Sequence, residues 1–243
     1  MSILDAIIQG VVQGLTEFLP VSSSGHLAIT QHILGAGTGE SNLFFNVMLH
    51  VGTLVAVVAF YHKLVWDLIK EFFLMLKDIF TGKFKWSKMN YNRNLVVMLI
   101  IGLIPLFLLF LPIPGTDMKL KDLADQLSAS PVLIVTACSL ILTSVLLTIG
   151  IIRNRKSVAS THKHLATKSN AKATRDNFNV VDAILVGVTQ VCAALLPGLS
   201  RSGSTLSVGE MRGISKQKAL DYTFVLGIPS ILAAALLEGV DAI

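Results

Sequence analysis

Four stretches of the chain are apolar almost without interruption: residues 43–61, 95–113, 131–152 and 222–237. Each is long enough, or nearly so, to cross a hydrocarbon core of about 30 Å as a helix, so the pattern predicts spanning helices there. Two further segments, 3–33 and 180–208, are apolar but broken by Gly, Pro and Ser. Backbone groups freed by such breaks find no water in lipid, so irregular chain at that depth is expected only where it is buried in protein or lines a cavity. The break at 20–26, "PVSSSGH", and the break at 197–203 are therefore the places to look for chemistry.

Composition agrees with the pattern. The 243 residues are 53% hydrophobic and 14% charged, against about 25% charged in an ordinary soluble domain, which predicts a membrane protein. Charge is unevenly placed. Residues 61–94 contain Lys63, Lys70, Lys77, Lys83, Lys85, Lys88 and Arg93, and residues 153–179 contain seven more basic side chains. Residues 114–130 have Lys119 and Lys121 against Asp117, Asp122 and Asp125. Basic loops stay in the cytoplasm, so the first two loops are expected inside and the third outside. They read as topology signals and lipid-headgroup contacts, not as a nucleic-acid surface. The polar stretch 153–179 reads as a flexible linker. Cys138 and Cys192 sit in apolar segments with no ligand-spaced partner, which argues against a zinc site or a disulfide framework.

The two broken segments repeat each other. "DAIIQGVVQGLTEFLPVSS" from Asp5 aligns with "DAILVGVTQVCAALLPGLS" from Asp182 at an offset of 177 residues, pairing Gly10 with Gly187, Gln13 with Gln190, Pro20 with Pro197 and Ser23 with Ser200. Arg212, Lys216 and Lys218 follow the second segment. They stay inside, with the basic loop before it, only if the segment enters the membrane, turns and returns. Three full spans separate the two segments, so the hairpins are expected to enter from opposite faces. The expected fold is an all-α polytopic integral membrane protein in one membrane domain over 1–243. It is an inverted-topology repeat (about 3–113, a linking span 131–152, the linker 153–179, then 180–243) with two re-entrant helical hairpins whose tips meet near the midplane. The second half holds no counterpart of the 95–113 helix, and a natural version is expected to continue by one more transmembrane helix.

If the tips meet, the site gathers Gln13, Glu17, Ser22, Ser23, Ser24 and His26 with Ser200, Arg201, Ser202, Ser204 and Thr205. Gln13 and Glu17 are i and i+4 on one helical face, and hard oxygen donors so placed suit Mg²⁺ or Ca²⁺ bridging to a phosphate. The structural alternative is an interhelical bond for Gln13 and an ion pair between Glu17 and Arg201. An arginine among hydroxyls and Gly-rich backbone makes a phosphate cradle. Ser23-x-x-His26 is a candidate nucleophile and base, although a lone histidine at a bend is also an ordinary structural group. His50 and Asn46 are candidates to line the cavity.

"QGLTEFLPVSSSGH" and "PGLSRSGST" together resemble the paired signature motifs of the bacterial undecaprenyl-diphosphate phosphatases, the bacitracin-resistance family, and the resemblance runs from residue 5 to about 237. It implies a metal-dependent, multi-pass enzyme of the bacterial plasma membrane. Such an enzyme removes the terminal phosphate of the C55 lipid diphosphate and so regenerates the carrier lipid for cell-wall synthesis. By the same resemblance Gln13 and Glu17 hold Mg²⁺ or Ca²⁺. Ser22, Ser200, Arg201, Ser202 and Thr205 take the phosphates, and Glu17, Ser23, His26 and Arg201 carry the chemistry. The nucleophile is Ser23, with Glu17 or His26 taking its proton, or else His26 itself. The implied partners are the polyprenyl diphosphate and membrane lipids, with a second copy of the chain as a candidate. The rival reading, from another class, is a transporter or lipid flippase using the same inverted-repeat cavity.

Overall fold

The computed structural model describes residues 2–35, 40–86, 89–116, 118–129, 133–165 and 175–241. The fold is all-helical: α1 (Ile3–Phe18), α2 (Ser23–Ile33), α3 (Glu40–Phe60), α4 (His62–Phe80), α5 (Tyr91–Leu103), α6 (Leu120–Ala129), α7 (Leu133–Leu165), α8 (Val180–Leu195), α9 (Arg201–Met211) and α10 (Lys216–Asp241). α5 runs on into a 3-10 segment, Ile104–Phe110, whose second residue is Pro105. Proline has no N–H to give the α ladder, so the helix tightens there.

Among the described residues, three helices are long and apolar enough to cross a membrane: Tyr91–Phe110, Leu133–Asn154 and Lys216–Leu237. A fourth arises if Phe45–Phe60 and His62–Phe80, bent by 84°, are taken together. The molecule thus has the helices of a polytopic membrane protein. α1 supports this from its own faces. Its buried side chains are Gln9, Gln13 and Glu17, while Ile7, Val11 and Leu15 are more than half exposed. A helix that is polar inside and apolar outside is out of place in water and suited to lipid.

Residues 61–94, expected as a loop, hold α4, whose Leu68 and Met75 are buried and which packs on α5. Its lysines hide a helical period in the raw pattern. Residues 114–130 likewise hold α6, and α7 continues through the first half of the expected linker to Leu165; residues 166–174 lie outside the described part.

The repeat is visible in the geometry. α1 and α8 start on matching capping boxes, Ser2 with Asp5 and Asn179 with Asp182, and span the same 16 residues at the offset of 177. Beyond the breaks the register moves by one, because one more residue lies between Leu196 and Ser200 than between Leu19 and Ser22. Ser22 and Ser200 are then the N-caps of α2 and α9, each accepting from the glycine three residues on. The second helices end in step as well, with Gly35 and Gly213 both at positive φ. The pairing of Ser23 with Ser200 expected from a fixed offset is corrected to Ser22 with Ser200, which sets Ser23 opposite Arg201.

Packing follows the same relation. α1 lies on α2 and α8 on α9, while the equivalent helices α3 and α10 pack on each other. A buried hydrophobic cluster joins α4, α5, α8, α9 and α10 through Leu68, Met98, Val186, Leu206 and Leu226. At its centre Tyr222 is fully buried, donates to the Met98 carbonyl at 2.7 Å and stacks on Phe178 at 4.0 Å.

Candidate active site where two helix breaks meet

The two breaks touch reciprocally. A Cβ on Gly25 would stand 3.2 Å from Gly198 Cα, and one on Gly203 would stand 2.5 Å from the Pro20 carbonyl oxygen. Gly25 is equivalent to Gly203 and Pro20 to Gly198 in the shifted register, so these are one contact made twice. Only glycine lets backbone approach backbone this closely. The first turns of α2 and α9 are thereby held against each other's breaks. The leading N–H groups of a helix have no intrahelical partner, which makes two adjacent N-termini a natural seat for an anion.

Glu17 sits where these turns converge. Ser23 Oγ donates to Glu17 Oε2 at 2.6 Å, and Gln13 Nε2 donates to the same oxygen at 3.1 Å. Arg201 Nη2 lies 3.3 Å from the other oxygen, Oε1. One carboxylate therefore ties α1 to both second helices. The ion pair is only partly dry, with side-chain exposures of 28% for Arg201 and 9% for Glu17. Arg201 Nη1 reaches the Gly227 carbonyl on α10 at 3.5 Å. Its guanidinium lies where a Cβ on Gly227 would be, 3.0 Å from Nη2.

Ser22 is the one non-glycine residue at positive φ (76°) among those described, a conformation that costs energy and recurs at functional sites. It presents its carbonyl to His26, whose Nδ1 donates to it at 2.7 Å. In the neutral ring Nε2 is then the free acceptor. The proton partner of Ser23 is thus Glu17, while His26 is bonded elsewhere. Ser24 Oγ is 3.4 Å from Ser22 Oγ and Ser202 Oγ is 3.4 Å from Ser200 Oγ, a further sign of the repeat. Ser200 N is held by Thr143 Oγ1 of α7 at 3.0 Å. Ser204 donates to the Ser200 carbonyl. Thr205 turns to the Arg201 carbonyl at 2.8 Å and to Thr223 Oγ1 at 3.2 Å, so its hydroxyl faces its own helix and α10.

Gln13 Oε1 is buried and has no hydrogen-bond partner among the described residues. An orphaned amide oxygen beside a carboxylate is an all-oxygen donor pair of the kind hard divalent cations take. No group of three His, Cys, Asp or Glu side chains with metal-site spacing occurs among the described residues, so most ligands of such a cation would come from substrate and water. Residues 13 and 17 fit that supporting part.

Gln31 carries little signal in the sequence, whereas Asn46 and His50 were expected near the cavity. Gln31 Nε2 donates to Gln9 Oε1 at 2.9 Å and to Asn46 Oδ1 at 2.7 Å, joining α1, α2 and α3. His50 Nδ1 donates to the Asn46 carbonyl at 2.7 Å. Gln9 continues the i, i+4 row of Gln13 and Glu17 and was findable from that spacing. Gly227 was not.

Comparison with known proteins bears on the whole length. The family model described as bacitracin resistance protein BacA matches residues 6–243. An undecaprenyl-diphosphatase of Alkaliphilus metalliredigens is 38% identical over 244 residues, covering 100% of this chain and 78% of that protein. One from Bacteroides fragilis is 35% identical over 100% of this chain and 77% of its own. One from Methanobrevibacter smithii is 36% identical, over 98% and 76%. With both signature stretches meeting in one site and a match over nearly the full length, the chain belongs to the bacitracin-resistance protein BacA family.

Proposed function

We propose that this protein is an undecaprenyl-diphosphate phosphatase. It hydrolyses the lipid diphosphate to undecaprenyl phosphate and inorganic phosphate, returning the carrier lipid to cell-wall synthesis and conferring bacitracin resistance. The observation that carries the reading is the Glu17 carboxylate, with Ser23 Oγ on one oxygen and Arg201 on the other. A nucleophile, its base and a phosphate-binding cation thus come together at two helix N-termini. In a bacterial plasma membrane the paired breaks would form two re-entrant hairpins of opposite topology, bringing the lipid's diphosphate to the convergence.

The terminal phosphate replaces Glu17 as the partner of Arg201, with support from the leading N–H groups and hydroxyls around Ser22, Ser200 and Ser202. Ser23 Oγ attacks the terminal phosphorus while Glu17 takes its proton. The bond from that phosphorus to the bridging oxygen breaks, and lipid monophosphate leaves with the electron pair. Water then attacks the phosphoserine, inorganic phosphate departs, and Ser23 recovers a proton from Glu17. Gln13 and Glu17 would hold Mg²⁺ or Ca²⁺, whose charge offsets that of the diphosphate when it is bound. Thr205 supports Arg201 from behind, through its carbonyl. A second nucleophile has a specific observation in its favour. His26, fixed through Nδ1, presents Nε2, and its attack would give a phosphohistidine.

The test is phosphate release from farnesyl or undecaprenyl diphosphate by the detergent-solubilised protein with Mg²⁺ or Ca²⁺, repeated after EDTA. Release that stops with EDTA is expected. Metal-independent release would remove the cation from the scheme, and no release from folded protein would contradict the phosphatase reading. Trapping with terminally labelled diphosphate assigns the nucleophile: label on Ser23 is expected, label on His26 supports the second reading, and label on neither excludes a covalent route.

A further inference from the structure

α4 has a pattern that the active site does not use. Lys63, Trp66, Lys70, Phe73, Lys77 and Phe80 follow one another at alternating spacings of three and four residues. At about 100° per residue this keeps all six on one arc of the helix, lysine and aromatic ring in turn. All six are exposed. The arc lies opposite Leu68 and Met75, the side chains that α4 buries. On one flank are exposed Ile69, Phe72 and Ile79. On the other are Glu71 and Asp78, both occupied by Arg93 of α5, at 3.2 and 2.7 Å. Acid is thus drawn towards the protein, and base and aromatics are left outside. Lys70 Nζ stands 5.4 Å from the Trp66 ring, with exposed Asp67 at 3.8 Å.

Orientation gives the pattern its meaning. α4 turns 84° away from α3, and α3 packs along α10, a helix apolar enough to span. A helix nearly perpendicular to one that packs against a span, and carrying this many charges, is suited to lie along the membrane surface. The basic stretch 61–94 belongs on the cytoplasmic side, where the leaflet is anionic. Aromatic rings settle at headgroup depth, and lysines beside them meet the phosphates.

We propose that this face of α4 is a seat for anionic phospholipid, the three ammonium groups pairing with headgroup phosphates and the three rings inserted between neighbouring lipids. The inference rests on the membrane setting and not on the phosphatase reading.

The protein has two tryptophans, so Trp86→Phe leaves Trp66 as the reporter. The full chain is reconstituted in vesicles of phosphatidylcholine containing either brominated phosphatidylcholine or brominated phosphatidylglycerol at equal mole fraction, and Trp66 quenching is compared. A lysine near an anionic surface is worth about fivefold in local partitioning, so at low salt the brominated anionic lipid should quench severalfold more effectively. That preference should vanish in the triple variant K63Q/K70Q/K77Q and at about 0.5 M salt, while quenching by the zwitterionic lipid persists and shows that the protein is still embedded. Equal quenching by the two lipids in the wild-type lysine background, or a preference untouched by the triple substitution, would overturn the proposal. Quenching by neither lipid would overturn it too, since the face would then be covered by protein such as a second copy.

Discussion

Glu17 has three partners on two oxygens, and each constrains what a substitution does. Glu17→Gln keeps the side chain's shape and can still accept from Ser23, but it cannot take the proton and leaves Arg201 without its counter-charge. Loss of a base and of charge complementarity at a phosphoryl-transfer site costs about 10²–10³ in rate, so kcat/KM for diphosphate hydrolysis should fall by about that factor with the protein still folded. A variant within threefold of wild type would remove Glu17 from the chemistry. Gly227 is a subtler case. A methyl group there would press on the guanidinium 3.0 Å away and swing it off Glu17. Gly227→Ala is expected to lower kcat/KM by about tenfold, roughly 1.4 kcal/mol, and to add nothing in an Arg201→Ala background; an equal loss in both would show that it acts elsewhere. These residues differ in legibility. Glu17, Ser23 and Arg201 stand out because ionisable and hydroxyl groups in apolar sequence demand an explanation. Gly227 sits in an apolar helix, where glycine ordinarily means packing, and only the position of a side chain 26 residues away reveals its use.

At the scale of elements, the close crossing of the two breaks should be the most sensitive point of the fold. Gly203→Ala drives a methyl to 2.5 Å from the Pro20 carbonyl oxygen, whereas Gly25→Ala meets a leucine methyl and a serine hydroxyl at 3.0 Å and backbone only at 3.2 Å, at Gly198 Cα. Backbone gives way less readily than side chains, so Gly203→Ala should lower the melting temperature in detergent well beyond Gly25→Ala; the reverse order would mean that the breaks are not in contact. The helix starts carry a second contrast. Asp5 and Asp182 occupy equivalent capping boxes, but Asp182 is fully buried and also holds Arg175 at 3.0 Å and Arg212 at 2.7 Å. Asp182→Asn is expected to be destabilising by about 1–3 kcal/mol, and Asp5→Asn by less than 1 kcal/mol, as thermal melts would register. The repeat was readable because D-A-I and Leu-Pro recur in register. Its one-residue slip was not, because a fixed offset cannot show that the second break is longer by one residue. α4 was lost for a related reason: its buried contacts are two side chains a heptad apart, and the lysines around them, Lys63, Lys70 and Lys77, make the stretch resemble a loop.

For the whole molecule, the apolar spans, the two interruptions and the paired motifs were legible, since each departs from what lipid tolerates. That the two breaks converge was readable from the repeat and the charge pattern; which side chains pair at the convergence was not. That Ser23 bonds Glu17 and leaves His26 to the Ser22 carbonyl depends on how the two helix breaks cross, and no spacing within either motif encodes it. The central claim is that residues 184 apart, Glu17 and Arg201, belong to one reacting centre. A double-mutant cycle on kcat/KM for farnesyl diphosphate hydrolysis tests this most directly, using Glu17→Gln, Arg201→Ala and both together. Groups that act as a unit lose their effect once, not twice, so the double variant should be no more than about threefold below the worse single one. Losses that multiply in full would put the two residues in separate sites and contradict a shared centre.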